Sequence, residues 1–293
     1  MIGFYVVNLL PPATPLQFNL QTPCGTWEFQ QVPNFRQVHP AVLQGATANT
    51  YTMSFRLPVN GPPSLKDAAF EELVPICLAA SFVTGASVTI KHSLEASSIQ
   101  FITVGPHFPR DRGLANPAAC VNTFAEFIAF VERFVAQYRT LDAVEKLRLL
   151  MHFFIDATAC WSLENLYLSG STLLQVVADT EKSTGRPFAS AHAAQRNQGR
   201  PTNPGFFDLL AGAANRISIA PLTHDVVKVR NSLVHAGTLQ SASLPTQADA
   251  AVPIAEAMHW FDQYVYAILG LGSVPVNRYP VHLFTHGINS FSF

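Results

Sequence analysis

The hydrophobic period of this chain changes once, and the change sets its architecture. Before about residue 105, short runs alternate polar with apolar or aromatic residues, as in Phe18-Asn19-Leu20 and Thr50-Tyr51-Thr52-Met53-Ser54-Phe55. A period of two bounded by Pro and Gly reads as β-strand. After the segment Gly105 to Gly113, Val121, Phe124, Ile128, Val131, Val135 and Tyr138 recur at steps of three and four. That is one stripe of an amphipathic helix. The expectation is an α+β protein: a β-rich N-terminal domain over 1–115, then an all-α helical bundle over 116–293.

Within the first part, Ser64 to about Ala80 reads as a helix capped by Ser64, with Asp67, Glu71 and Glu72 in its early turns. Strands are expected at 86–91 and 98–104. The uncharged stretch Leu73 to Ile90 is near the lower length limit for a membrane span, but Pro75, Gly85 and the alternation at Ser87–Ile90 suit a buried helix turning into a strand. In the second part, helices are expected from Leu141 to about Leu168, from Ser171 to about Thr184, over Thr223–Gly237 and from Pro253 to Leu269.

Charge narrows the choice of partners. Of 293 residues only 13% are charged and the formal net charge is -1, so no global field draws the chain to nucleic acid. Residues 1–65 carry only Glu28, Arg36 and Arg56. So few charges suit a surface covered by a partner or a second copy, and the first third alone would suit an assembly protein. Cys24, Cys77, Cys120 and Cys160 are far apart, which excludes a zinc ribbon or a disulfide framework and predicts mostly buried, reduced thiols. The start lacks a basic stretch before its apolar run, so a signal peptide is not expected and the cytoplasm is the expected compartment.

A polar stretch from Lys182 to Gly205 holds Lys182, Arg186, His192, Arg196 and Arg200 and no acidic residue. Its basic side chains suit contact with the phosphates of RNA, and a solvated loop is the alternative. His152 with Asp156, and His282 with His286, have i, i+4 spacing but no evident further ligands, so no metal is expected.

The segment from Thr223 to Gly237 holds the candidate chemistry. Thr223 suits an N-cap, Asp225 the first turn and Gly237 the C-terminal stop. Asn231 and His235 fall on one face, one turn apart. Arg230 lies about 140° round from His235, within reach of a long side chain. Val226, Val229, Leu233 and Ala236 form the apolar side. Arginine can hold a phosphate bidentately, histidine can move protons near neutral pH, and asparagine can orient a hydroxyl. In RNA the 2′-hydroxyl can attack the adjacent phosphodiester, so no metal or other cofactor is required.

Arg230-Asn231-Ser232-Leu233-Val234-His235-Ala236-Gly237 resembles the signature of HEPN domains, an arginine followed after four to six residues by histidine, often with a polar residue after the arginine. Trp161-Ser162-Leu163-Glu164-Asn165-Leu166 is similar to a Leu-Glu-x-Leu stretch on an earlier helix of many such domains. The resemblance spans roughly 118–272 and leaves the first 115 residues unexplained. It implies a helical bundle that forms a homodimer or larger homo-oligomer, with two Arg/His motifs in one cleft. It also implies a metal-independent endoribonuclease of a prokaryotic antiviral-defence or toxin-like system, with an activating or neutralising protein partner. Arg230 would then hold the scissile phosphate, His235 would transfer protons, Asn231 would support both, and Glu164 would orient Arg230 or His235. The alternative is an inactive HEPN-like module that binds RNA, a nucleotide or a protein.

Overall fold

In a computed structural model, residues 1–94, 119–160, 162–184 and 204–281 are described. The fold is α+β, with an N-terminal antiparallel sheet followed by helices. Two compact units divide at Thr140/Leu141. The boundary expected near residue 115 falls outside the described residues, and the helix placed after it counts with the first unit up to Thr140.

The first unit is built on β1 (Ile2–Val7), β2 (Gln17–Thr22), β3 (Gly25–Gln31), β4 (Asn49–Phe55) and β5 (Thr89–Ser93), in the order β2-β3-β4-β1-β5. Every pairing is antiparallel. The alternation read from sequence sorts the two faces. Phe18, Leu20, Trp27, Phe29, Met53, Phe55, Phe4 and Val6 share one face and are buried. That face meets helices α2 (Pro63–Thr84) and α3 (Phe124–Glu145). Phe18 lies 5.3 Å from Phe124 and 6.1 Å from Phe127, edge to face, and Phe82 stacks on Phe130 at 5.3 Å. These rings explain why α3 belongs with the sheet. A further helix, α1 (Phe35–Leu43), follows β3.

Helix α2 starts at Pro63 and not by a serine cap. The Pro62-Pro63 pair presets the entry, Ser64 sits inside the helix, and no side chain caps it. It ends at Gly85, whose φ of 68° is cheap only for glycine, and β5 follows as the turn from helix to strand predicted. From Leu73 on, α2 is buried almost all round, which accounts for its lack of charge. Among the described residues no helix is long and apolar enough to cross a membrane. Glu72 is the buried exception. Its carboxylate accepts from the Thr22 hydroxyl, the Cys24 backbone N–H at 3.0 Å and Trp27 Nε1 at 3.0 Å. Burial and this carboxylate push the Cys24 thiol up to about 11. Cys77 and Cys120 are buried, and Cys24 and Cys160 are half-buried. The strand expected at 98–104 lies outside the described residues.

The second unit contains α4 (Leu147–Thr158), α5 (Leu163–Ser183), α6 (Phe206–Arg216), α7 (His224–Ala236) and α8 (Gln247–Ile268). The single helix expected over 141–168 is broken twice. Lys146 takes a left-handed conformation at φ 57°, and α4 closes before Ser162 caps α5 by accepting from the Asn165 N–H. Ser171, expected to start a helix, lies within α5 with its hydroxyl bonded back to the Leu168 carbonyl, a mid-helix option open to serine. Helix α8 begins earlier than Pro253, at a Thr246/Asp249 capping box.

Arg278, beyond α8, is buried and grips Asp262 with two bonds, 2.7 and 2.8 Å long. Its guanidinium also lies 4.8 Å from the Phe154 ring centre. Removing one member of such a pair strands a buried charge. Arg278→Met is expected to cost about 3–5 kcal/mol in urea unfolding, and Asp262→Leu in the same chain to recover much of it. Equal loss in the single and double variants would show that packing, and not charge pairing, holds this segment.

Candidate functional site around Arg230

Helix α7 has the ends its sequence predicts. Thr223 precedes it and Gly237 closes it at φ 68°, with the Gly237 N–H bonded to the Leu233 carbonyl at 3.1 Å. Thr223 does not cap through its own side chain. Its N–H and hydroxyl both donate to the Glu256 carboxylate on α8, at 2.5 and 2.6 Å. Val226, Val229 and Leu233 are buried. Ala236, expected on that side, is exposed in the last turn. The Tyr167 hydroxyl of α5 donates to the Val226 carbonyl, and burial pushes that phenol far above its usual range.

Arg230 is half-buried. Its guanidinium sits 4.9 Å from the ring centre of Phe206, the first residue of α6. One terminal nitrogen donates to Gln175 Oε1 of α5 at 3.4 Å and the other to Asn231 Oδ1 at 3.3 Å. Both bonds are long, so the fork is oriented without being saturated. Gln175 is itself held, donating from Nε2 to Asp179 at 3.0 Å. Arg230 and Val234 border a hollow of about 410 Å³, whose other walls include Phe153 and Asp156 of α4 and Leu168, Ser169 and Thr172 of α5.

The remaining sequence-predicted residues fall as follows. Asn231 is exposed and meets Arg230. His235 is exposed in the last turn of α7, does not line the hollow, and shares no hydrogen bond with Arg230 among the described residues. The structure therefore joins Arg230 to Asn231, and among the described residues no hydrogen bond links His235 to either. Glu164 is half-buried in the first turn of α5. It precedes Gln175 by eleven residues, about 16 Å of helix axis, and the contact expected of it with Arg230 is made by Gln175. Lys182 is exposed at the end of α5. Arg186, His192, Arg196, Arg200, His282 and Trp161 lie outside the described residues. Among the described residues no group of three or more His, Cys, Asp or Glu side chains could hold a metal ion.

Sequence reasoning missed Phe206, Gln175 and Glu256. Phe206-Phe207, two aromatics just past Gly205, was a usable signal for the first; nothing local marked the other two. Searches against protein-family models, curated proteins and solved structures found no match.

Glu256→Ala should remove both acceptors at the start of α7 and cost about 1 kcal/mol, as loss of a cap does. Amide hydrogen exchange should then quicken in the first turn of α7 and not in α4. Unchanged protection there would mean that burial of Val226 and Val229 alone holds this end.

Proposed function

We propose that the second unit is a metal-independent endoribonuclease of HEPN type, a prokaryotic antiviral-defence or toxin-like effector acting in the cytoplasm. One observation carries the reading: Arg230 is held at the edge of an open hollow with donors to spare, on the same short helix that exposes His235. The guanidinium binds the scissile phosphate and stabilises charge that develops on its oxygens. The imidazole takes the 2′-hydroxyl proton as the 2′-oxygen bonds to phosphorus, or returns a proton to the departing 5′-oxygen. Asn231 fixes the arginine between these steps. The products are a 2′,3′-cyclic phosphate and a 5′-hydroxyl end. Two copies complete the site by bringing their Arg230/His235 motifs into one cleft. Lys182 and the basic stretch after it guide the RNA backbone.

A second reading has its own support. The Arg230 guanidinium is already engaged by Phe206, Gln175 and Asn231, as an arginine serving the fold would be. On that reading the unit is a HEPN-like module that binds RNA, a nucleotide or a protein without turnover.

The enzyme reading predicts cleavage of RNA, and not of DNA, in excess EDTA, with cyclic phosphate ends. Arg230→Ala and His235→Ala should each lower the rate by about 100-fold or more, with circular dichroism unchanged. RNA bound but not cut would support the module, and an undiminished rate in His235→Ala would end the catalytic assignment.

A further inference from the structure

The sheet of the first unit has a second face, and its register is unusual in what it aligns. Gln17 pairs with Gln30, Gln30 with Thr52, Thr52 with Tyr5, and Tyr5 with His92. These five residues form one row across all five strands, pointing away from the aromatic core. The next row on this face runs Asn19, Glu28, Ser54 and Gly3. Gln17, Asn19 and Gln30 are exposed, and Tyr5, Thr52, Ser54 and His92 are half-buried.

The solvent face of an antiparallel sheet normally carries polar residues, charged ones among them. Here amides and hydroxyls take those places. The one acid in these rows, Glu28, is paired with Arg56 at 3.2 Å. The face is also recessed. A hollow of about 450 Å³ lies over Gln17, Asn19, Gln30, Thr52 and Ser54. A second, of about 710 Å³, shares Gln17 and Gln30 and continues past Asn34 to Gln37 at the start of α1. Together they form a trough. The side chains of Gln17, Asn19, Gln30, Asn34 and Gln37 make no hydrogen bond within the protein among the described residues.

We propose that this trough binds a neutral oligosaccharide. An amide presents a donor and an acceptor side by side, which matches the adjacent hydroxyls of a sugar ring. The spacing of the row, about 4.8 Å from strand to strand, repeats such pairs along an extended glycan. The low charge of the trough selects the ligand: Glu28, which lines the first hollow, is paired with Arg56, and Arg36 at the far rim is the one cation lining either hollow among the described residues, whereas a phosphate backbone would need several.

The test is titration calorimetry of the full chain with cellohexaose, maltohexaose and the hexamer of N-acetylglucosamine, beside a uridine decamer. At least one of the sugars should bind with a dissociation constant of about 1 mM or tighter. Gln30→Ala and Gln17→Ala, both at exposed positions, should each weaken it by about tenfold without shifting the thermal midpoint. His235→Ala should leave it unchanged, which separates this surface from the ribonuclease reading. No heat with any of the three sugars, sugar binding indifferent to Gln17 and Gln30, or uridine decamer binding that depends on those glutamines would overturn the proposal.

Discussion

A carboxylate removed from water must be given donors, and both units are organised around that demand. Desolvating such a group costs several kcal/mol unless hydrogen bonds or an opposite charge offset it. In the first unit the answer is neutral: Glu72 on α2 collects the turn after β2 through Thr22 and Cys24, and the indole of Trp27 on β3. One side chain thereby ties the buried helix to the edge of the sheet. In the second unit the answer is arginine. Arg216 lies between buried Glu145 and Glu181, at 3.2 and 3.1 Å, and Tyr264 donates to Glu145 at 2.7 Å. Arg278 does the same for Asp262. In a chain with few charges, several are thus spent on the interior.

The same economy shapes the surroundings of Arg230. Helix α7 is short and offers three buried apolar residues, Val226, Val229 and Leu233. It is oriented instead by polar contacts from its neighbours: Glu256 of α8 at its start and the Tyr167 hydroxyl of α5 on its first turn. Phe206 and Gln175 then fix the direction of the guanidinium. The arginine is placed by three other helices, whereas His235 projects from the final turn before a left-handed glycine.

This division explains how far the sequence could be read. The strands at 17–22 and 49–55, the α+β order and the C-terminal end of α7 follow from local rules, because alternation and Gly237 act within a few residues of themselves, whereas Thr223 bonds Glu256 33 residues away. The turn from α2 into β5 was equally legible at Gly85. Periodicity reveals the apolar stripe of α3 but not what covers it, so the expected bundle over 116–293 leaves out the packing of its rings with Phe18 and Phe82. Ser162 and Ser171 are equally good caps in isolation; the cap at Ser162, with Leu163, Leu166 and Tyr167 buried after it, sets the start of α5. Of the partners of Arg230, Gln175 was out of reach, since it stands 55 residues away in the chain.

The neutral second face of the sheet has a consequence for how the two halves of the chain respond to their medium. Dissolved salt screens charges over about 8 Å at physiological ionic strength and leaves amide hydrogen bonds nearly untouched. Anything held by Gln17 and Gln30 would therefore stay bound as electrolyte rises, while an anion held by Arg230 would be released. Ionic strength alone would then empty one surface and spare the other.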